Sequence, residues 1–122
     1  MGSFTVGQVV LLPFPFSDLS RSKYRPAAIL ADSGRGDWVL CQITSNPYAD
    51  LLAVALDEEA FISGGLHRVS YARPGKLFTA NESIFAGTAG QLSPFTVIAV
   101  VEQIIRLLRP KETDGTMASQ RE

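Results

Sequence analysis

The sequence predicts a small, mainly β (α+β) domain in which five to seven short antiparallel strands curl into a sheet or barrel with one C-terminal helix. Three observations carry that expectation. Short apolar runs are separated by Gly- and Pro-containing turns, the spacing of strands rather than helices. One segment alone, Ser93 to Arg109, has helical length with stop signals at both ends. The chain has 122 residues, 46% apolar and 19% charged, which is the size and composition of one globular domain.

Taken in order, Thr5 to Phe16 is the first strand, with Val6, Val9, Val10, Leu11 and Leu12 as its apolar side chains. Pro13 and Pro15 mark its exit at an edge, since proline removes a ladder donor. Ser17 to Tyr24 (SDLSRSKY) is polar and reads as an exposed loop, and Pro26 to Ala31 (PAAILA) as a second strand. Asp32 to Asp37 (DSGRGD) places two glycines between apolar runs, a hairpin signal. Trp38 to Thr44 (WVLCQIT) is the third strand, ended by Ser45-Asn46-Pro47. Leu51 to Leu56 is short and flanked by breakers, which favours a strand.

Asp57 to Phe61 reads as one helical turn with three acids at its start, where the helix dipole favours them, and Gly64-Gly65 ends it. Val69 to Arg73 and Lys76 to Thr79 are two strands broken by Pro74-Gly75; Ile84 to Leu92 adds a last strand or bend. The helix starts on Ser93 as N-cap with Pro94 in the first helical position, and Pro110 stops it. Its apolar stripe (Val97, Ile98, Val100, Val101, Ile104, Ile105, Leu107, Leu108) is wider than one core-facing side needs. A well-buried helix over the barrel and a helix shared with a subunit interface both fit that width. Residues 1–110 form the domain, and Lys111 to Glu122 reads as a disordered tail.

Composition excludes several classes of function. Eleven Lys and Arg face twelve Asp and Glu, a net charge of −1, so the chain cannot hold long duplex by charge alone. Any nucleic-acid contact must come from a few cations clustered at one site. One cysteine and one histidine supply neither an internal disulfide nor, by themselves, a zinc site. The expectation is therefore no metal and no cofactor. Without an apolar stretch of membrane length or a leader pattern, the chain reads as cytoplasmic with no membrane partner.

Chemistry is expected where the second and third strands meet. Arg25 lies about seven positions before the Asp32–Asp37 turn and Thr44 about seven after it, so an antiparallel hairpin brings both to one open end. A guanidinium that grips two phosphate oxygens and a hydroxyl that donates to developing charge suit a phosphodiester. Lys23, Arg73 and Lys76 are further candidates for phosphate contacts, and Phe16 and Tyr24 for base stacking. Phe14 is read as core packing, His67 as an exposed loop histidine and Cys41 as a buried, inert thiol.

The stretch GQVVLLPFPFSDLSRSKYRPAA (Gly7 to Ala28), followed by WVLCQITS (Trp38 to Ser45) and GGLHRVSYARPGK (Gly64 to Lys76), resembles the MazF/PemK-like toxins of bacterial toxin–antitoxin systems. The resemblance covers nearly everything except the tail. It implies an SH3-like barrel with a C-terminal helix, a homodimer, and a cognate antitoxin that occupies the RNA groove. The implied activity is metal-independent cleavage of single-stranded RNA, in which the 2′-hydroxyl attacks its own phosphate to leave a 2′,3′-cyclic phosphate. By the same resemblance Arg25 and Thr44 are the catalytic pair. Phe16, Ser17, Lys23, Tyr24, Ser45, Arg73 and Lys76 are RNA-binding, and Ser17 to Lys23 is a substrate-gating loop. A histidine that serves some members as base has no counterpart in the first loop, which leaves the general base unassigned. The alternatives are a gyrase-binding toxin of the same fold and an inactive homologue kept as an interaction module. Gyrase binders of this kind end in Trp-Gly-Ile, whereas this chain ends in Ser-Gln-Arg-Glu.

Overall fold

The computed structural model describes residues 4–15 and 22–111. Among these described residues there are seven strands and one α-helix: β1 (Gln8–Pro15), β2 (Ser22–Gly34), β3 (Asp37–Thr44), β4 (Val54–Leu56), β5 (Phe61–Gly64), β6 (Ser70–Asn81), β7 (Gly87–Leu92) and α1 (Pro94–Leu108). All pairings are antiparallel, in the order β4-β6-β3-β2-β1-β7-β5. The two edge strands, β4 and β5, are neighbours in the chain, joined through Asp57 and a 3-10 turn at Glu58–Ala60. A short link between opposite edges forces the sheet to curl into a nearly closed barrel.

The central strands are buried on both faces, which is why their sequences read as continuous apolar runs rather than alternating ones. One face packs Val9, Ala28, Cys41, Ile43 and Ala72 with Val100 and Ile104 of α1. The other packs Val10, Leu12, Ala27, Ile29, Trp38 and Leu40 under Phe4, Phe14, Phe78 and Phe85. Phe14 meets Phe78 edge to face at 5.2 Å, so it serves the core as its sequence suggests. Cys41 is fully buried, and burial pushes its thiol up to about 12, consistent with an inert side chain.

The β2–β3 hairpin turns at Arg35 and Gly36, both at positive φ (58° and 82°), with Gly36 in the position where a side chain is disfavoured. At the other end of the barrel Gly64 and Gly90 pair across β5 and β7. A Cβ on Gly90 would lie 2.7 Å from the Ser63 carbonyl oxygen, so only glycine lets these two backbones approach.

Several elements differ from their sequence expectation. Lys23 and Tyr24, expected in a loop, lie in β2, where Lys23 faces Phe14 and Tyr24 faces Pro13 on β1. The polar composition of that stretch concealed a strand whose outward side chains meet solvent. β4 is shorter than Leu51 to Leu56, because residues 50–53 form a turn in which the Asp50 carboxylate accepts from the Leu52 N–H. Phe61–Gly64, read as the end of the helical turn, is itself a strand. The segments either side of Pro74-Gly75 form one strand, β6, rather than two. Between Cys41 and Ile43 on β3, β6 runs from Leu77 back to Ala72, so Pro74 sits in a bulge where no ladder N–H is required. The Arg73 carbonyl inside that bulge accepts from the Cys41 thiol at 3.1 Å.

The helix behaves as its caps foretold. The Ser93 side chain accepts from the Thr96 N–H, and Pro94 opens the first turn. Thr96 Oγ1 and Ser93 N–H both donate to the Ala60 carbonyl, tying α1 to the 3-10 turn between the edge strands. Only Thr96, Val100 and Ile104 of α1 are buried. Phe95, Ile98, Ile105, Leu107 and Leu108 are exposed, so the helix is less covered than a purely barrel-capping helix would be.

Candidate active site

The β2–β3 register pairs Ala27 with Gln42 and Ala28 with Cys41; continued two residues toward the strand ends, it sets Arg25 opposite Thr44. Both line a single open cleft of about 350 Å³ at that end of the barrel. Pro26 follows Arg25 and holds its backbone extended. Arg25 is half-buried, and its Nε is shut off from solvent. Thr44 is 5% exposed, seated in register with Tyr71 of β6. Its Oγ1 accepts a hydrogen bond from the Asn46 N–H at 3.2 Å. That contact occupies a lone pair and orients the hydroxyl, so its O–H is the group left to donate into the cleft.

The same cleft gathers Lys23, Tyr24 and Ser45 from the predicted set. Tyr24 presents its ring to solvent at 65% exposure, as a stacking platform requires. Phe16 and Ser17, and with them most of the proposed gating loop, lie outside the described residues, as do residues 112–122 of the expected tail. Arg73 and Lys76 do not line the cleft. Arg73 instead donates from Nε to Asp50 Oδ2 at 3.1 Å, and its guanidinium lies over the Tyr48 ring, 5.4 Å from the centroid. The Leu52 N–H and then the Arg73 side chain hold the Asp50 carboxyl below its usual range. A depressed carboxyl stabilises the fold above its unfolded pKa and loses that contribution as pH falls through the folded one. The Asp50–Arg73 pair is therefore intact at neutral pH and weakens only in acid.

Two residues were missed as part of this site. His67 and Arg68, on the loop between β5 and β6, line the cleft together with Leu66 and Ser70. His67 is exposed, as its sequence position suggests, but it is exposed into the cleft. The described lining thus carries three full cations, Lys23, Arg25 and Arg68, one imidazole and no carboxylate. In a chain of net charge −1 this is a strongly localised positive surface.

The chain is thus a small curled antiparallel barrel with a basic cleft at the open end of its β2–β3 hairpin. Comparison with solved structures makes the fold specific. A chain of an endoribonuclease in complex with its cognate antitoxin from a mycobacterial species superposes with a TM-score of 0.68 at 14% identity, covering 93% of this chain and 100% of that one. A chain of the MazE–MazF complex from Deinococcus radiodurans gives 0.69 at 19% identity, covering 88% and 97%. The Mycobacterium tuberculosis toxin MazF-mt6 gives 0.59 at 18% identity, covering 80% and 93%. No protein-family model and no curated sequence matches. The fold is that of the MazF toxins.

Proposed function

We propose that this chain is an endoribonuclease toxin of the MazF/PemK kind, cleaving single-stranded RNA without a metal and neutralised by a cognate antitoxin. The observation that carries the reading is the meeting of Arg25, Thr44 and three further basic side chains, Lys23, His67 and Arg68, in one cleft that no described carboxylate lines. Such a cleft attracts a phosphodiester and repels none of its charge. Arg25 grips the non-bridging oxygens of the scissile phosphate and stabilises the charge that grows as the ribose 2′-oxygen attacks phosphorus. The Thr44 hydroxyl donates a further hydrogen bond that fixes the phosphate in line. Tyr24 stacks a neighbouring base, and Lys23 and Arg68 meet flanking phosphates. As the 2′-oxygen bonds to phosphorus the P–O5′ bond breaks, and the 5′-oxygen leaves with a proton from solvent, so the products are a 2′,3′-cyclic phosphate and a 5′-hydroxyl. The likeness to toxins solved with antitoxins supports an antitoxin partner, and the exposed apolar face of α1 supports a homodimer.

Purified protein incubated with single-stranded RNA in excess EDTA is expected to cut and leave 5′-hydroxyl ends. Failure to cut any of a varied set of RNAs sinks the enzymatic reading, and cleavage that EDTA abolishes sinks its metal independence. The reaction also needs an acceptor for the 2′-hydroxyl proton, and His67 brings the one imidazole among the described residues that line the cleft. Lys23, Arg25 and Arg68 face it from the cleft, and Asp57 and Glu58 line the depression on its other side. A His67→Gln variant is expected to lower kcat with KM little changed; a wild-type kcat removes His67 from the mechanism.

A further inference from the structure

We propose that Arg73 and Asp50 form a clamp that positions the Thr44 hydroxyl, which makes Arg73 a positioning residue rather than a contact to RNA. This rests on the ribonuclease reading of the cleft. The structure links the pair to Thr44 through an unbroken series of short contacts. The Asn46 N–H holds Thr44 Oγ1 at 3.2 Å, and the Asn46 side chain in turn accepts from the Tyr48 N–H at 2.9 Å. Tyr48 and Ala49 both stand in the left-handed region, at φ 54° and 60°. Two successive non-glycine residues there are strained and stay only where their surroundings hold them.

What holds them is Asp50 and Arg73. The Asp50 N–H donates to the Pro47 carbonyl at 2.9 Å, closing the turn, and its carboxylate takes the Leu52 N–H at 3.0 Å on one oxygen and Arg73 Nε on the other. The Arg73 guanidinium covers the Tyr48 ring from the same side. Arg73 has a fixed base from which to do this: Pro74 is fully buried beside it, and its own carbonyl is held by Cys41. The contacts run from the β6 bulge through Asp50 and Tyr48 to Asn46, and end on a hydroxyl that lines the cleft. Arg73 itself does not line it.

Asp50→Ala separates the two roles for Arg73. It removes a negative charge near an anionic substrate, which on charge alone strengthens RNA binding. As half of a clamp, its loss lowers kcat instead, by about tenfold or more, since misplacing a reacting group by an ångström costs up to about 10²-fold. The expected result is that Asp50→Ala and Arg73→Ala lower kcat alike with KM little changed, and that the double variant is no worse than the weaker single one. Arg73→Lys, which keeps the charge but loses the planar stack on Tyr48, is expected to stay impaired. Amide hydrogen exchange gives a readout that needs no activity: the Asn46 and Tyr48 N–H groups are expected to exchange faster in both single variants. Unchanged exchange at both amides overturns the clamp. So does wild-type kcat in Asp50→Ala beside a raised KM in Arg73→Ala, or full activity in Arg73→Lys. A wild-type protein that cleaves nothing defeats the ribonuclease reading instead, and the exchange rates still decide whether Asp50 and Arg73 hold Thr44.

Discussion

Replacing Arg25 with alanine is expected to reduce kcat for RNA cleavage by about 10²–10³-fold, equivalent to about 2.7–4 kcal/mol of lost transition-state stabilisation. Arg25 stands three residues into β2, opposite Thr44 across the hairpin, with its backbone held by the proline that follows and its Nε enclosed. A guanidinium fixed in this way reaches two phosphate oxygens at no reorganisation cost when charge develops on them. Lysine at the same position supplies the charge without the fork and is expected to recover only part of the rate. The measurement is single-turnover cleavage of one RNA by wild type, Arg25→Ala and Arg25→Lys, with circular dichroism to establish that all three fold. Equal rates would remove Arg25 from the chemistry. Thr44→Val tests the partner group: it keeps the shape of the side chain and deletes the hydroxyl, both as donor into the cleft and as acceptor for the Asn46 N–H.

Ile43→Ala is expected to destabilise the domain by about 2–5 kcal/mol, the usual effect of truncating a fully buried aliphatic side chain. Ile43 has no exposed surface, packs in the layer shared with α1, and also lines the floor of the cleft one residue before Thr44. In a domain of this size that loss lowers the melting temperature by roughly 8–40 °C, at about 4–8 °C per kcal/mol. A drop of only a degree or two would mean that the layer beneath α1 collapses into the space. Cleavage by Ile43→Ala at a temperature where it remains folded then reports how far Thr44 depends on the packing under it.

Much of the fold could be read from the chain because its signals are local. Counting outward from the Asp32–Asp37 segment brings Arg25 and Thr44 to one end of the hairpin, although the chain turns at Arg35-Gly36 and two register shifts in β2 set the pairing that leaves them opposite each other. Ser93, Pro94 and Pro110 bound the helix for equally local reasons. What escaped is what depends on closure of the barrel. His67 and Arg68 reach the cleft from a loop more than twenty residues beyond Thr44, and nothing in their own neighbourhood indicates that they line it. Arg73 looked like one more available cation because its partner, Asp50, lies in an irregular turn with no periodic pattern. Their meeting needs the β6 bulge that Pro74 seemed to deny by breaking the strand. Lys23 and Tyr24 were hidden differently, since an outward-facing polar strand and a polar loop share one composition.

The place of β1 in the sheet governs when this protein can work. β1 is the earliest in the chain of the described strands, yet one of its two ladder partners is β7, at Gly87–Leu92. All the described cleft side chains, from Lys23 to Ser70, are translated before that partner exists. A growing chain on the ribosome therefore carries every one of these groups without the seam that gathers them into one volume, because a domain of this kind folds as a unit. The cleft therefore takes shape only once the last strand of the barrel has been synthesised.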